Sequence, residues 1–198
     1  DGEGFDIRNV FRQAFIKEGI EEGFVKGEIV VIDSVGLLEN AKIVGQESLR
    51  IKMRHPGAED AKDTIDKLFR VYKVVDVDRI DQNTQSFKLL FASPELLESK
   101  RKRVSQAFHM NILDMAAKIA EDYLGIENTL ETAIESPKHL PHFEQRAKCD
   151  ASAHVVIPNW TVFDTLNWLC SQAQDNSYES SLSDSYYFYE TCNGGFRI

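Results

Sequence analysis

The chain has 198 residues, 42% apolar and 28% charged, which is enough for one large or two small domains with hydrophobic cores. Its 23 basic and 32 acidic residues give a net charge of -9, which disfavours nonspecific attachment to nucleic acid, because such binding depends on clustered lysine and arginine. The sequence has no run of the roughly 18 to 20 apolar residues that a membrane-spanning helix needs. We therefore expect no membrane embedding and no nucleic acid as the primary ligand.

The first part of the chain predicts β-structure. Segments rich in valine, isoleucine and phenylalanine between residues 10 and 32, broken by glycines, predict a hairpin. Residues 33–40 are expected to form a turn or a single helical turn. In that turn, Asp33 or Ser34 would accept hydrogen bonds from exposed backbone amides.

Alternation of apolar and basic residues over 48–54 predicts a half-buried strand with one solvated face. A His-Pro-Gly sequence ends this strand, and the polar residues 58–67 are expected to form an exposed loop. Two further strands are predicted at 68–80 and 85–93, joined by a DQNT turn. These antiparallel strands predict a sheet that curls into a sandwich or barrel.

The pattern changes to helical at residue 93. A Ser-Pro-Glu sequence predicts a helix from about 94 to 104, and helical spacing of apolar residues predicts a second helix over 110–125, stopped by Gly125. Residues 126–150 are interpreted as a strand plus a long loop.

The last part of the chain predicts a strand, a helix and a hairpin. The strand covers 154–160 and is ended by its proline, and the amphipathic helix covers 161–174. A serine-rich loop is expected over 175–185. The final residues then predict a hairpin with an Asn-Gly turn. Because the chain begins at Asp1 and stops directly after this hairpin, we expect it to be part of a longer protein.

A search for reactive groups finds no GxSxG, HExxH or phosphate-binding glycine loop. His139 and His142 have a spacing that could place two metal ligands on one helical face, but Pro141 argues against a helix there. The cysteines at 149, 170 and 192 form no CxxC pair, and we interpret them as reduced, partly buried thiols. We therefore predict no catalytic residues, no cofactor and no metal site.

Two groups of residues leave alternatives open. The basic run Lys100–Arg103 could bind phosphate or an acidic partner, although we favour a solvated helical face. Trp160 and Trp168 could stack on a sugar or a base, although tryptophans at this spacing favour core or interface anchors.

The string VVIPNWTVFDTLNWLCSQA, followed by SYYFYETCNGGFRI, resembles a segment of phage baseplate hub proteins. That segment pairs a PN-x-x-x-FD-x-[LI]-NW helix with an FYE-x-x-x-GF hairpin. Three further stretches fit the family in the same order, at 27–57, 69–97 and 102–125. The segment 126–153 does not map onto the family pattern.

The resemblance, to the hub family of contractile (T4-like) tails and the related type VI secretion spike proteins, implies an α+β fold. It implies a tube-like antiparallel β-barrel over residues 1–93 and a small α/β inserted domain over 94–198, with two or three helices and a C-terminal hairpin. Three copies would form a ring that adapts the sixfold tail tube to the threefold central spike.

The same resemblance implies a structural, non-enzymatic virion protein, assembled in the host cytoplasm. Its expected partners are copies of itself, the tail tube protein, the central spike protein and the baseplate wedge proteins. DNA would only pass through the channel. The alternatives are a tail-associated cell-wall-degrading enzyme, which would need paired carboxylates in a cleft, and a carbohydrate- or nucleic-acid-binding module.

Overall fold

A computed structural model of the chain describes residues 4–54, 64–126, 152–173, 186–192 and 195–198. The chain divides into two compact units. Unit 1 comprises Asp1–Lys17 and Val25–Pro94, and unit 2 comprises Glu18–Phe24 and Glu95–Ile198. The break after Pro94 lies one residue from the expected boundary. The segment Glu18–Phe24, expected in the first domain, belongs to unit 2.

Unit 1 is a five-stranded antiparallel sheet with one short helix. Its elements are β1 (Phe11–Lys17), β2 (Lys26–Asp33), α1 (Leu37–Asn40), β3 (Ser48–Arg54), β4 (Thr64–Arg79) and β5 (Gln85–Ala92). The strand order is β1-β2-β5-β4-β3, so β5 lies between β2 and β4. The predicted hairpin, the alternating strand at 48–54 and the two later strands are all present, and the α+β class is confirmed.

The sheet curls, as predicted, and forms a half-barrel. In the described part of unit 1, β1 pairs only with β2, and β3 pairs only with β4. The sheet therefore has two edges.

The loop predicted at 58–67 is wrong from Thr64 onwards, because β4 begins there. Arg54 pairs with Thr64 and Lys52 pairs with Asp66 across the two strands. Asp66 lies on the solvated face of β4, where Arg50 and Lys52 of β3 pair with its carboxylate, whereas Lys67 alternates with it and lies on the same face as the buried Phe69. Residues 55–63 lie outside the described residues.

The core of unit 1 lies on one face of this sheet. Alternate residues of the strands are buried there, and the rings of Phe69 and Phe91 lie 4.9 Å apart between centroids. The buried apolar residues of the strands are Ile29, Val31, Ile51, Phe69, Val71, Phe87, Leu89, Phe91 and Ala92. Burial therefore alternates along these strands with the same two-residue period as the apolar residues in the sequence.

Unit 2 contains three helices and two β-ribbons in its described residues. Its elements are α2 (Pro94–Arg101), β6 (Arg103–Asn111), α3 (Ile112–Ile119), a π-helical turn (Ala120–Leu124), β7 (Ser152–Thr161), α4 (Val162–Gln172), β8 (Tyr189–Thr191) and β9 (Gly195–Arg197). Strands β6 and β7 form one antiparallel ribbon, and β8 and β9 form the other. The strand and long loop predicted over 126–150 lie outside the described residues from residue 127 onwards, as do the serine-rich loop predicted over 175–185 and the Asn-Gly turn at 193–194.

Two predictions in unit 2 are wrong at their boundaries. The helix expected to reach residue 104 ends at Arg101, and β6 occupies what was interpreted as a break between helices. Strand β7 also continues past Pro158 to Thr161. Proline is tolerated in this position because, in the part of unit 2 that is described, β7 pairs only with β6.

Helix ends follow the expected capping chemistry. The side chain of Asn111 accepts a hydrogen bond from the amide of Leu113 at 2.9 Å, and that of Thr161 accepts one from the amide of Asp164 at 3.1 Å. Gly125, at φ 69°, follows the π-helical turn in the left-handed conformation that stops a helix. The predicted stop at Gly125 is confirmed.

Candidate assembly surface

The β1 edge of the unit 1 sheet exposes two aromatic side chains. Phe11 and Phe15 are 47% and 51% exposed, and the strand contains neither proline nor glycine. Its register shifts between Phe11 and Gln13, so that Arg12 forms a bulge. A long edge of this kind offers backbone amides, carbonyls and aromatic side chains to another strand or chain.

The β3 edge is charged instead. Arg50 of β3 donates two hydrogen bonds to the carboxylate of Asp66 on β4, at 2.7 and 3.0 Å, and Lys52 lies 3.5 Å from the same group. Hydrogen bonding from Arg50 lowers the pKa of Asp66. Exposed pairs like these contribute little stability, but charged side chains discourage strand addition. The β1 edge also carries exposed Arg12 and Lys17, so the two edges differ mainly in the exposed phenylalanines of β1.

Most of the exposed large apolar side chains described in the protein belong to unit 1. They lie on strands β1 to β4, before β1 and in the connecting loops. They are Phe5, Phe11, Phe15, Ile32, Val35, Val44, Met53, Leu68, Tyr72, Val77 and Ile80. Of these, Phe11 and Phe15 share the edge strand β1.

The β2–β3 connection, residues 34–47, is held in a fixed conformation by two carboxylates. The first is Asp33, which is buried and accepts hydrogen bonds from the amides of Val35 and Leu38 at 3.0 and 3.2 Å and from the Gln85 side chain at 3.2 Å. Burial alone would raise the pKa of Asp33, but these hydrogen bonds outweigh it and lower the pKa below its usual value. The sequence prediction that Asp33 accepts backbone hydrogen bonds is confirmed.

The second carboxylate is Glu47, which accepts hydrogen bonds from three consecutive backbone amides. The distances to the nitrogens of Val44, Gly45 and Gln46 are 2.7, 3.0 and 2.9 Å. Burial raises the pKa of Glu47, and the amide hydrogen bonds lower it further than burial raises it. The connection thus presents Val35 and Val44, 64% and 76% exposed, from a loop whose backbone is already ordered.

Replacing Asp33 with asparagine should lower the free energy of unfolding by about 1.5–3 kcal/mol, the range for hydrogen bonds to a charged group. In the variant, the side-chain NH2 group would face a backbone N–H donor, and the hydrogen bond that the carboxylate oxygen accepts there would be lost. Because the folded-state pKa of Asp33 is lowered, its contribution is present above the unfolded pKa and is lost as the pH falls through the folded pKa. Urea unfolding at several pH values should show wild type and variant converging in acid. Glu39→Gln, an exposed change on α1, is the control, and equal losses in both variants would contradict the assignment.

In unit 2, the structure brings Trp160 and Trp168 together. Their ring centroids are 5.6 Å apart and the rings are nearly perpendicular, at 74°. The register of the β6–β7 ribbon steps from Trp160 opposite Val104 to Pro158 opposite Ser105, which leaves Asn159 as a bulge at φ 59°. The Pro-Asn pair of the sequence motif therefore forms the bulge that precedes Trp160, a role that the sequence analysis missed.

The basic run does not form a continuous cationic surface. Arg101 and Lys102 both lie near Glu98, at 3.7 and 3.3 Å, and Lys102 also donates to the carbonyl of Tyr123 at 2.6 Å. Lys100 is in the last turn of α2, whereas Arg103 begins β6. Two of the four cations are thus partnered within unit 2.

The remaining candidate groups are distributed as follows. Burial raises the pKa of the Cys170 thiol to about 12, so this sulfur stays protonated and unreactive. Cys192 is half-buried, and both described cysteines are free thiols. Cys149, His139 and His142 lie outside the described residues. Among the residues that are described, no three His, Cys, Asp or Glu side chains form a group that could hold a metal ion, and no helix is long and apolar enough to cross a bilayer.

Three of the segments that carry the sequence resemblance, 102–125, 155–173 and the C-terminal hairpin, meet in one hydrophobic core in unit 2, whereas 27–57 and most of 69–97 lie in unit 1. Residues of β6, α3, β7, α4 and the C-terminal ribbon contribute to it, together with Phe24. Its fully buried members include Met115, Ile119, Ile157, Leu166, Leu169 and Phe188. The motif residues are therefore mainly packing residues.

Comparison with protein-family models and with curated proteins finds no match to this chain.

Proposed function

We propose that this chain is a structural component of a contractile phage tail baseplate hub. In this role it adapts the sixfold tail tube to the threefold central spike, as a homotrimer and without enzymatic turnover. The observation that carries the proposal is the common core of unit 2. The 155–173 helix segment, the 102–125 segment and the C-terminal hairpin were matched separately to the hub pattern, and they pack together.

This shared packing supports the resemblance, because it gives one physical explanation for the residue types at the motif positions. Val162, Leu166 and Phe188 lie in one buried cluster, as the apolar residues of a single domain usually do. The Pro-Asn pair forms the β7 bulge, and the backbone amide of the motif residue Asp164 donates to the Thr161 side chain, so these motif positions have structural roles as well.

The tube-like character of residues 1–93 is part of the same proposal. An open antiparallel sheet with exposed phenylalanines on its β1 edge supports lateral joining of copies, in which a head-to-tail contact repeated around an axis closes a ring. The ordered 34–47 loop reduces the entropy lost on docking. The net charge of -9 repels the phosphate backbone and fits a channel through which DNA passes without being held.

The expected partners are therefore copies of the same chain, the tail tube protein, the central spike protein and the wedge proteins, in a virion assembled in the host cytoplasm. An image of the assembled particle in which this chain is located tests the proposal most directly. Finding the chain outside the junction between tube and spike would overturn it.

Self-association through β1 should depend on Phe15. Phe15→Lys replaces an exposed aromatic side chain on the edge strand with a cation and should weaken assembly by at least about 2 kcal/mol, the cost typical of a hot spot. Analytical ultracentrifugation of the protein at micromolar concentration should show a trimer for wild type and a smaller species for the variant.

The matched control is Val156→Lys, which introduces the same charge at a site in unit 2 that is 74% exposed. This variant should sediment like wild type. A wild-type protein that remains monomeric at every accessible concentration would contradict the homotrimer, and equal effects of both lysines would contradict the role of β1.

A further inference from the structure

Two histidines face each other across the β6–β7 ribbon. His109 lies directly opposite His154 in the strand register. Their rings are stacked, with centroids 3.6 Å apart and an angle of 11° between the planes. Both side chains are exposed. The ribbon thus holds two imidazoles side by side at the surface, where a dissolved ion can reach them.

The surroundings of the pair favour a cation over other ligands. Alternation along the ribbon places Ala107, Ser152 and Val156 on the same face as the two rings. None of these nearest neighbours carries a charge, and the nearest cation on this face of β6 is Arg103, six residues from His109 along the strand. Neutral imidazole is the most common metal ligand among protein side chains and suits zinc, copper and nickel.

We propose that His109 and His154 form a two-ligand site for a divalent transition-metal ion that prefers nitrogen, such as Zn²⁺, Ni²⁺ or Cu²⁺. Each ring turns about its soft terminal torsion, so that one nitrogen of each reaches the ion at about 2.0–2.1 Å. Water, or a side chain of a second molecule, fills the other coordination positions. This site does not depend on the proposed hub function.

The strand register supplies the preorganisation. Side chains directly opposite each other on antiparallel strands have Cβ atoms about 4.5–5.5 Å apart. Only the two side chains need to be ordered on binding, because the backbone is fixed by the ribbon. In the unfolded chain the two residues are separated by a long segment that includes all of α3, so the chelating pair exists only after folding. An ion bound there must therefore stabilise the folded state.

Titration with Ni²⁺, followed by calorimetry, tests the site. Nickel is the probe because it does not oxidise thiols as Cu²⁺ does. His109→Ala and His154→Ala should each weaken nickel binding by at least about 10–100-fold. That is the usual loss when a residue that only supports a metal ligand is removed, and here a ligand itself is removed. The matched control is the double variant His139→Ala/His142→Ala, which removes the other histidine pair and should bind like wild type. Mg²⁺, which prefers oxygen ligands, should not compete.

Thermal unfolding gives a second readout that does not require a fully quantitative titration. Nickel should raise the unfolding midpoint of wild type and of the His139/His142 control, and it should leave the midpoints of His109→Ala and His154→Ala almost unchanged. Because both rings are exposed, the alanine variants should fold. His154→Asn, which keeps a polar side chain at this position, checks that folding is retained. Wild-type affinity in the His109 and His154 variants, or loss of binding in the control alone, would overturn the proposal.

Discussion

Replacing Phe24 with alanine should lower the free energy of unfolding of unit 2 by about 3–5 kcal/mol, the cost of removing a fully buried phenylalanine. Phe24 is 1% exposed, and its ring centroid lies 5.3 Å from that of Phe163 and 5.9 Å from those of Phe188 and Phe196. The change would leave a cavity at the centre of this aromatic cluster. Urea unfolding followed by tryptophan fluorescence measures the effect, because both tryptophans belong to unit 2.

Phe5→Ala is the matched control for this prediction. Phe5 is 64% exposed, and its replacement should change stability by no more than about 0.5 kcal/mol, as for other surface positions. A loss for Phe24→Ala no larger than that for Phe5→Ala would mean that the segment Glu18–Phe24 does not pack into the core of unit 2.

Replacing Gly27 with alanine should destabilise unit 1 by about 3 kcal/mol, at the upper end of the usual cost of overpacking a core. A methyl group on Gly27 would overlap the backbone carbonyl oxygen of Phe15 and would lie 2.5 Å from Cζ of Phe91. The carbonyl belongs to the paired strand β1 and can move only if the β1–β2 register opens.

Gly4→Ala is the appropriate comparison, since a methyl group there meets no atom within 4 Å. Circular dichroism during thermal unfolding should show a lowered midpoint for Gly27→Ala and an unchanged one for Gly4→Ala. If Gly27→Ala also reduces trimer formation, the damage extends to the β1 edge. Wild-type stability of Gly27→Ala would contradict the close approach of β1, β2 and β5 at this position.

Periodicity in the sequence predicted the strands of unit 1 because burial there follows the alternation of residue types. Along β3, Ile51 is buried, and its neighbours Arg50 and Lys52 are exposed. The order of the strands in the sheet could not be predicted in this way. A local sequence pattern does not show that β5 lies between β2 and β4, and this insertion decides which strands become the edges. That β1 is an edge strand with exposed phenylalanines could therefore be recognised only in the structure.

Strand β6 was missed for a physical reason. Its two fully buried apolar residues, Val104 and Phe108, are four positions apart, a spacing that also occurs on helices. The intervening residues are polar or small, so no alternation is visible. Because β6 was not recognised, the opposition of His109 and His154 could not be predicted either. The Pro-Asn pair of the β7 bulge was visible in the sequence, but its role could be recognised only with β6 as the paired strand.

The assignment of Glu18–Phe24 to unit 2 has a practical consequence for dissecting this protein. Cutting after Pro94 would yield a first fragment that still carries Phe24, now stripped of the rings that shield it from water. Such a fragment would tend to aggregate through the exposed Phe24, even if its own sheet were correctly folded. A cleaner excision would replace only Glu18–Phe24 with a short turn, because the fully buried Val25 belongs to unit 1 and Lys17 and Lys26 are already cross-strand neighbours.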